Sequence, residues 1–160
     1  PTEGTVESNG NVIGRDVDYL PDAGVIIETP GFIPYYSGFQ NLKVLAGIKN
    51  KISANEIREA ILTVGLDPEL KLPVKKYSLG MRQRLGLAQA MMESPSVLIL
   101  DEPMNGLDKN WVEEIRQLLL SMKNDHKTIV IASHNAEDIQ VLCDEVYEME
   151  NGKLCNMNTV

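Results

Sequence analysis

Two short, continuously apolar segments, Val97-Leu98-Ile99-Leu100 and Thr128-Ile129-Val130-Ile131-Ala132, limit the folds open to this chain. Both are rich in β-branched residues and neither alternates with polar ones. Segments of this kind read as strands of a parallel sheet buried on both faces. Between them Trp111, Ile115, Leu118, Leu119 and Met122 recur at helical spacing, with Asp108 placed as the helix N-cap. Strand, amphipathic helix and strand in this length make a right-handed crossover unit. The first strand runs directly into two adjacent carboxylates, Asp101 and Glu102. In open α/β sheets, ligands bind beyond the carboxyl ends of the strands.

The remaining elements follow from local chemistry. Thr5 to Ile13 reads as a hairpin, because Asn9-Gly10 supplies the positive φ angles of a tight turn. Gly24 to Glu28 is a short apolar strand ending at a carboxylate. Thr29 to Pro34 is a loop, since its two prolines fix φ and remove donors. From Gly38 to Met92 the pattern turns helical. Ser53-Ala54-Asn55-Glu56 fits a capping box, Ile57, Ile61 and Val64 follow at helical spacing, and Gly65 is a stop. Leu66 to Lys76 reads as a loop with Pro68 and Pro73. A further helix spans Leu79 to Met92 and ends before Ser94-Pro95. Ala136 to Leu142 is a short helix, and Glu145–Glu150 with Lys153–Met157 closes the chain as a hairpin around Asn151-Gly152.

Composition removes several function classes. The 160 residues carry a net charge of -8, which argues against a nucleic-acid partner. The basic pairs Lys75-Lys76 and Arg82/Arg84 read as solvated surface. Cys143 and Cys155 form neither a disulfide framework nor a zinc spacing and read as thiols in a reducing compartment. No apolar run approaches the roughly 20 residues of a membrane span. There is no signal-peptide pattern, and a start at Pro1 reads as a fragment or processed piece.

Two places carry chemistry. Tyr77-Ser78-Leu79-Gly80-Met81-Arg82-Gln83-Arg84 opens a helix with a Ser/Gly turn. Ser78 can cap that helix and offer a hydroxyl, Gly80 lets backbone approach a ligand closely, and the helix N-terminus favours an anion. Asp101-Glu102 can divide labour. One carboxylate holds hydrated Mg²⁺ and the other orients or deprotonates a water. An ordinary polar loop after a buried strand is the alternative for the pair alone. His134, which follows the second strand, can donate to a phosphate oxygen. By itself it also fits a structural or solvated histidine. His126, between Asp125 and Lys127, reads as a surface residue.

These motifs together resemble the ATP-binding subunit of ABC transporters. Leu98-Ile99-Leu100-Asp101-Glu102-Pro103 resembles the Walker B motif, which implies Asp101 as a Mg²⁺ ligand and Glu102 as catalytic base. Asn105-Gly106-Leu107-Asp108 resembles the D-loop, whose Asp108 would reach across a dimer interface. Ala132-Ser133-His134 resembles the H-loop, placing His134 on the γ-phosphate. Tyr77 to Met81 resembles the signature motif, with Ser78 and Gly80 at its key places, while Leu79 and Met81 depart from its usual Gly and Gln. Glu28 stands where the family usually carries Gln, and the resemblance makes it a second Mg²⁺ contact. The wording Ile27-Glu28-Thr29-Pro30 resembles the branch that exports drugs and peptide antibiotics. Tyr35, Tyr36 and Phe39 either receive a permease helix or pack the helical subdomain.

The resemblance implies a P-loop NTPase (RecA-like) α/β fold with a parallel sheet and an inserted α-helical subdomain, truncated at its N-terminal side. It divides the chain into a sheet portion with the Q-loop region over 1–37, a helical subdomain with the signature over 38–95, and an α/β core over 96–160. It implies ATP and Mg²⁺ as ligands, a second ATPase subunit and a transmembrane permease as partners. The expected location is cytoplasmic, on the inner face of the membrane through that permease. No Gly-x-x-x-x-Gly-Lys-Ser/Thr occurs in the 160 residues. The family's phosphate-binding loop would precede Pro1. Expected functions are therefore an export ATPase in the intact protein, a non-catalytic module that lends its signature helix to a partner, or a soluble ABC ATPase. In the family, Ser78 and Gly80 would complete the partner's nucleotide site, while Asp101 and Glu102 would act on the subunit's own.

Overall fold

The computed structural model describes residues 2–20, 22–28, 30–125 and 127–157. His126 and Thr29, for which the sequence suggested surface and loop placements, lie outside the described residues. The chain begins with a two-stranded hairpin, β1 (Glu7–Ser8) and β2 (Asn11–Val12), turned by Asn9 at φ 51° and Gly10 at φ 77°. It continues through β3 (Ala23–Ile26), α1 (Gly38–Lys49), α2 (Ala54–Thr63) and α3 (Leu79–Met91). Then come β4 (Val97–Asp101), α4 (Lys109–Asn124), β5 (Thr128–Ala132), α5 (Ala136–Leu142) and the closing hairpin β6 (Val146–Glu150) and β7 (Lys153–Met157). A 3-10 turn at Val74–Lys76 interrupts the stretch read as plain loop.

Capping chemistry sets the helix starts. Ser37 and Ser53 open α1 and α2 as complete capping boxes with Gln40 and Glu56. Ionising Glu56 is favoured by the Ser53 N–H that it accepts, which holds its pKa below the ordinary carboxylate value. The α1–α2–α3 layer is held by apolar residues from all three helices, including Leu42, Ile57, Ile61, Val64, Leu85 and Leu87. Helix α3 also packs on β3. The fit is close enough that a Cβ on Gly24 would lie 1.9 Å from the Ala90 carbonyl oxygen.

Strands β3, β4 and β5 form a parallel sheet in that order. Its register sorts the side chains by face. Ile26, Leu100 and Ile131 lie in one row, and Ile26 and Leu100 are buried. The neighbouring row, Val25, Ile99 and Val130, lies on the opposite face, where Val25 is 40% and Val130 53% exposed. The sequence suggested burial on both faces. Only one face is covered among the described residues, by α4 through Ile115 and Leu119 and by the helical layer. Continuous apolarity records what a strand can tolerate on each face, and here no described helix lies on one of them. The outer edge of β5 pairs with no described strand and borders a groove of about 820 Å³ shared with Tyr147 and Leu154 of the closing hairpin.

Candidate functional site at the carboxyl ends of β4 and β5

Parallel pairing places Asp101 opposite Ala132, so the segments after β4 and β5 leave the sheet side by side. Glu102 turns sharply there, with φ at 46°, in the left-handed region that side chains other than glycine rarely enter. Its N–H donates to the Ala132 carbonyl at 2.9 Å. Its carboxylate oxygen Oε1 accepts the His134 N–H at 3.1 Å and lies 2.7 Å from His134 Nδ1. The hydrogen bond that His134 donates to Glu102, then the charges of Glu102 and Asp138, raise the His134 pKa above its ordinary value. The imidazole is 84% exposed and the Glu102 side chain 34%, so the pair faces solvent at the sheet's edge. Asn135 fixes the far side of this loop by capping α5 through Glu137 and Asp138 N–H groups.

Asp101 is the last residue of β4 and half-buried. Its carboxylate makes no hydrogen bond to any described residue. No group of three or more His, Cys, Asp or Glu converges as a metal cage among the described residues. That donor set suits Mg²⁺, which keeps most of its water and takes one or two carboxylates together with phosphate oxygens. Glu28 is exposed, at φ 53°, two residues beyond β3 at the same end of the sheet. Nothing in the described contacts joins it to Asp101, Glu102 or His134.

The second group of residues lies on the start of α3. Ser78 is exposed and caps the helix, its Oγ accepting from Met81 N at 3.1 Å. Gly80 sits against the turn that follows β4: a Cβ there would stand 3.0 Å from the Gly106 carbonyl oxygen. Leu79 packs on Gly106 itself. Asp108, at the end of that turn, spends Oδ1 on the Asn110 and Trp111 N–H groups that begin α4. The exposed Asp108 thus serves as a helix cap in this chain alone.

Three contacts were not foreseen from the sequence. Gln83 on α3 is buried and donates from Nε2 to the carbonyls of Glu102 and Pro103, both at 3.2 Å. Its signal was a polar residue in the helical stripe of Gln83, Leu87 and Ala90, all of them buried. Arg84, read as solvated, lies 4.2 Å from the Trp111 ring centroid and donates to the Gly65 carbonyl at 3.2 Å. Its partial burial lowers its pKa. Arg116, on the inner side of α4, is buried against Asp138 on α5. Of the three aromatic residues after β3, Tyr35 and Tyr36 are exposed, whereas Phe39 is partly buried and packs on the helical layer beneath Arg58.

Comparison with known proteins places this geometry in a larger set. The family model described as ABC transporter matches residues 1–105. The chain is 43% identical over 154 residues to the uncharacterized ABC transporter ATP-binding protein YybJ of Bacillus subtilis, covering 96% of this chain and 71% of that protein. It is 40% identical to the bacitracin transport ATP-binding protein BcrA of Enterococcus faecalis, over 96% of this chain and 51% of that protein. The lantibiotic transport ATP-binding protein SrtF of Streptococcus pyogenes is also 40% identical, with 84% of this chain and 58% of that protein covered. The chain thus spans between about half and 71% of these relatives. Among solved structures, a dimeric ATP-binding cassette in a post-hydrolysis state with ADP and Pi superposes with a TM-score of 0.83 at 19% identity, over 100% of this chain and 76% of that one. That likeness carries the P-loop NTPase-type fold.

Proposed function

The chain belongs to the ABC transporter family as an ATP-binding domain, and on that premise we propose that the protein containing it hydrolyses ATP to drive export through a membrane permease. The contact that carries this reading is Glu102 against His134 at the sheet's carboxyl edge, at 2.7 Å. In the proposed reaction Glu102 takes the proton of the water that attacks the γ-phosphorus. The Nδ1 side of His134 faces Glu102, so the protonated ring has its Nε2–H free to donate to a γ-phosphate oxygen. Bound Mg²⁺ would be held by Asp101, with Glu28 as a second contact, and would neutralise charge on the β- and γ-phosphates. Ser78 and Gly80 would meet the nucleotide of a second ATPase subunit, and Asp108 would reach across the same interface. The exposed Tyr35 and Tyr36 suit the permease contact. No helix among the described residues is long and apolar enough to cross a membrane. The named antibiotic-transport relatives favour a peptide antibiotic as cargo.

The test uses a form of the protein that includes a Gly-x-x-x-x-Gly-Lys-Ser/Thr loop. Glu102→Gln should keep ATP binding and lower turnover by roughly 10²- to 10⁴-fold, the range expected for a lost general base. Unchanged turnover would sink the assignment. For the 160 residues taken alone, the lack of that loop favours a second reading. The chain lends its Ser78–Gly80 turn to a partner and binds ATP poorly by itself. Micromolar ATP binding by calorimetry would contradict it.

A further inference from the structure

We propose that Gln83 is a positioning residue whose buried amide holds the Glu102–Pro103 backbone in the turn that aims the Glu102 carboxylate at His134. This deepens the hydrolysis reading and rests on it for its functional meaning, although the geometry stands without it. Glu102 follows a regular strand, yet its φ of 46° leaves the extended region at once. A residue with a side chain stays in that conformation only where its surroundings hold it. Here they do so on both sides of the residue. The Glu102 N–H is taken by the Ala132 carbonyl. The Glu102 carbonyl accepts from Gln83 Nε2 at 3.2 Å and from the Asn105 N–H at 3.1 Å.

Gln83 Nε2 also reaches the Pro103 carbonyl at 3.2 Å, and the Pro103 side chain is fully buried. One amide thus spans two consecutive carbonyls, which fixes the orientation of both peptide planes. Gln83 is itself only 5% exposed. It sits one turn along α3 from Gly80, whose backbone abuts the Gly106 carbonyl in the turn after β4. A shift of the start of α3 would therefore be felt at Glu102 through Gln83, without any side chain of α3 touching the carboxylate. Methionine matches glutamine in length and volume but offers no donor, so Gln83→Met removes the clamp and keeps the packing. Glu102 is then free to return to an extended backbone, which turns its carboxylate away from the ring.

The imidazole of His134 reports this directly. With Glu102 Oε1 at Nδ1, the neutral ring must carry its proton on Nδ1, whereas a solvated histidine favours Nε2–H. Nitrogen-15 NMR of the full chain without nucleotide, at a pH where the ring is neutral, separates the two forms. His134→Ala identifies the resonances. Wild type should show mainly the Nδ1–H form. Glu102→Ala and Gln83→Met should both shift the ring to mainly Nε2–H. An Nδ1–H form that survives Gln83→Met but not Glu102→Ala overturns the proposal, and so does a wild-type ring already in the Nε2–H form. A merely structural glutamine would alter stability and leave the tautomer alone. Should Gln83→Met fail to fold, the wild-type chain still decides. The Gln83 side-chain NH₂ protons should exchange with solvent at least tenfold more slowly than those of exposed Gln140, and equal rates overturn the clamp. Failure of the hydrolysis reading, seen as turnover that persists in Glu102→Gln, leaves these nucleotide-free signals untouched.

Discussion

Arg116 and Asp138 form a buried ion pair that ties α4 to α5, with Nε 2.8 Å and Nη2 2.6 Å from the same carboxylate oxygen. Both side chains are almost wholly enclosed, and Glu137 adds a contact to Nη2 at 2.9 Å. These acidic partners raise the Arg116 pKa. The pair fixes the helix whose N-cap, Asn135, adjoins His134. Asp138→Ala leaves the guanidinium buried with only the exposed Glu137 and Glu113 as counter-charges. Breaking a buried pair from one side costs about 3–5 kcal/mol, and those two acids place this case near the low end. The double change Arg116→Met with Asp138→Leu should cost far less, because no charge is stranded. Urea unfolding of the three proteins decides, and equal losses for single and double variants would contradict the pairing.

The Glu102–His134 contact makes stability depend on pH in a definite direction. The folded-state pKa of His134 lies above its ordinary value, through the Glu102 hydrogen bond first. Its contribution is fully present below the unfolded-state pKa of roughly 6.5, with Glu102 ionised, and is lost as pH rises through the raised folded value. The urea midpoint of the wild type should fall relative to that of His134→Gln as pH climbs through this window. Because both groups meet solvent, the difference should be small and should shrink further in high salt. A gap that widens with pH would reverse the assignment.

Much of this was legible because the signals were local. The capping box at Ser53, the Ser78 and Asp108 caps, the Asn-Gly hairpins and the crossover from Val97 to Ala132 each depend on a few neighbouring residues, and each formed as its spacing implied. The side-by-side exit of Asp101, Glu102 and His134 followed from parallel register alone. What escaped were contacts between residues distant in sequence. Gln83 reaches Glu102 over 19 positions and Arg116 reaches Asp138 over 22, and although a polar residue in a buried stripe flags Gln83 as enclosed, nothing in the spacing names its partner. The exposure of one sheet face escaped for a related reason. Apolar content reports which side chains tolerate burial, and only the packed chain reveals which face is covered.

Gly65 predicts a severe effect from a single methyl group. It ends α2 in the left-handed region at φ 65°, with Leu66 N–H donating back to the Ile61 carbonyl. A Cβ at this position would lie 1.6 Å from the Trp111 ring, beneath the stack that Arg84 makes on the same ring. Gly65→Ala therefore carries both backbone strain and overpacking, together about 2–4 kcal/mol. Trp111 is the chain's one tryptophan, so its fluorescence reads the displacement directly. An unshifted emission maximum with an unchanged urea midpoint would show that α2 and α4 do not meet this way.

The row Val25, Ile99 and Val130 should govern how the chain behaves in solution. It crosses the sheet on the face that no described helix covers, and Ile27, 67% exposed, extends it beyond β3. Beside it, the edge of β5, which pairs with no described strand, offers backbone donors and acceptors to any strand that approaches. An apolar face next to an open edge favours association between chains. Val130→Thr keeps the β-branched shape that a strand prefers while adding a hydroxyl on the open face. Paired with Ile27→Thr, it should lower self-association in sedimentation velocity while shifting the urea midpoint of the monomer only slightly, since neither side chain is buried. A destabilised monomer would mean that this face is packed in solution, and unchanged association would assign the contact to another surface.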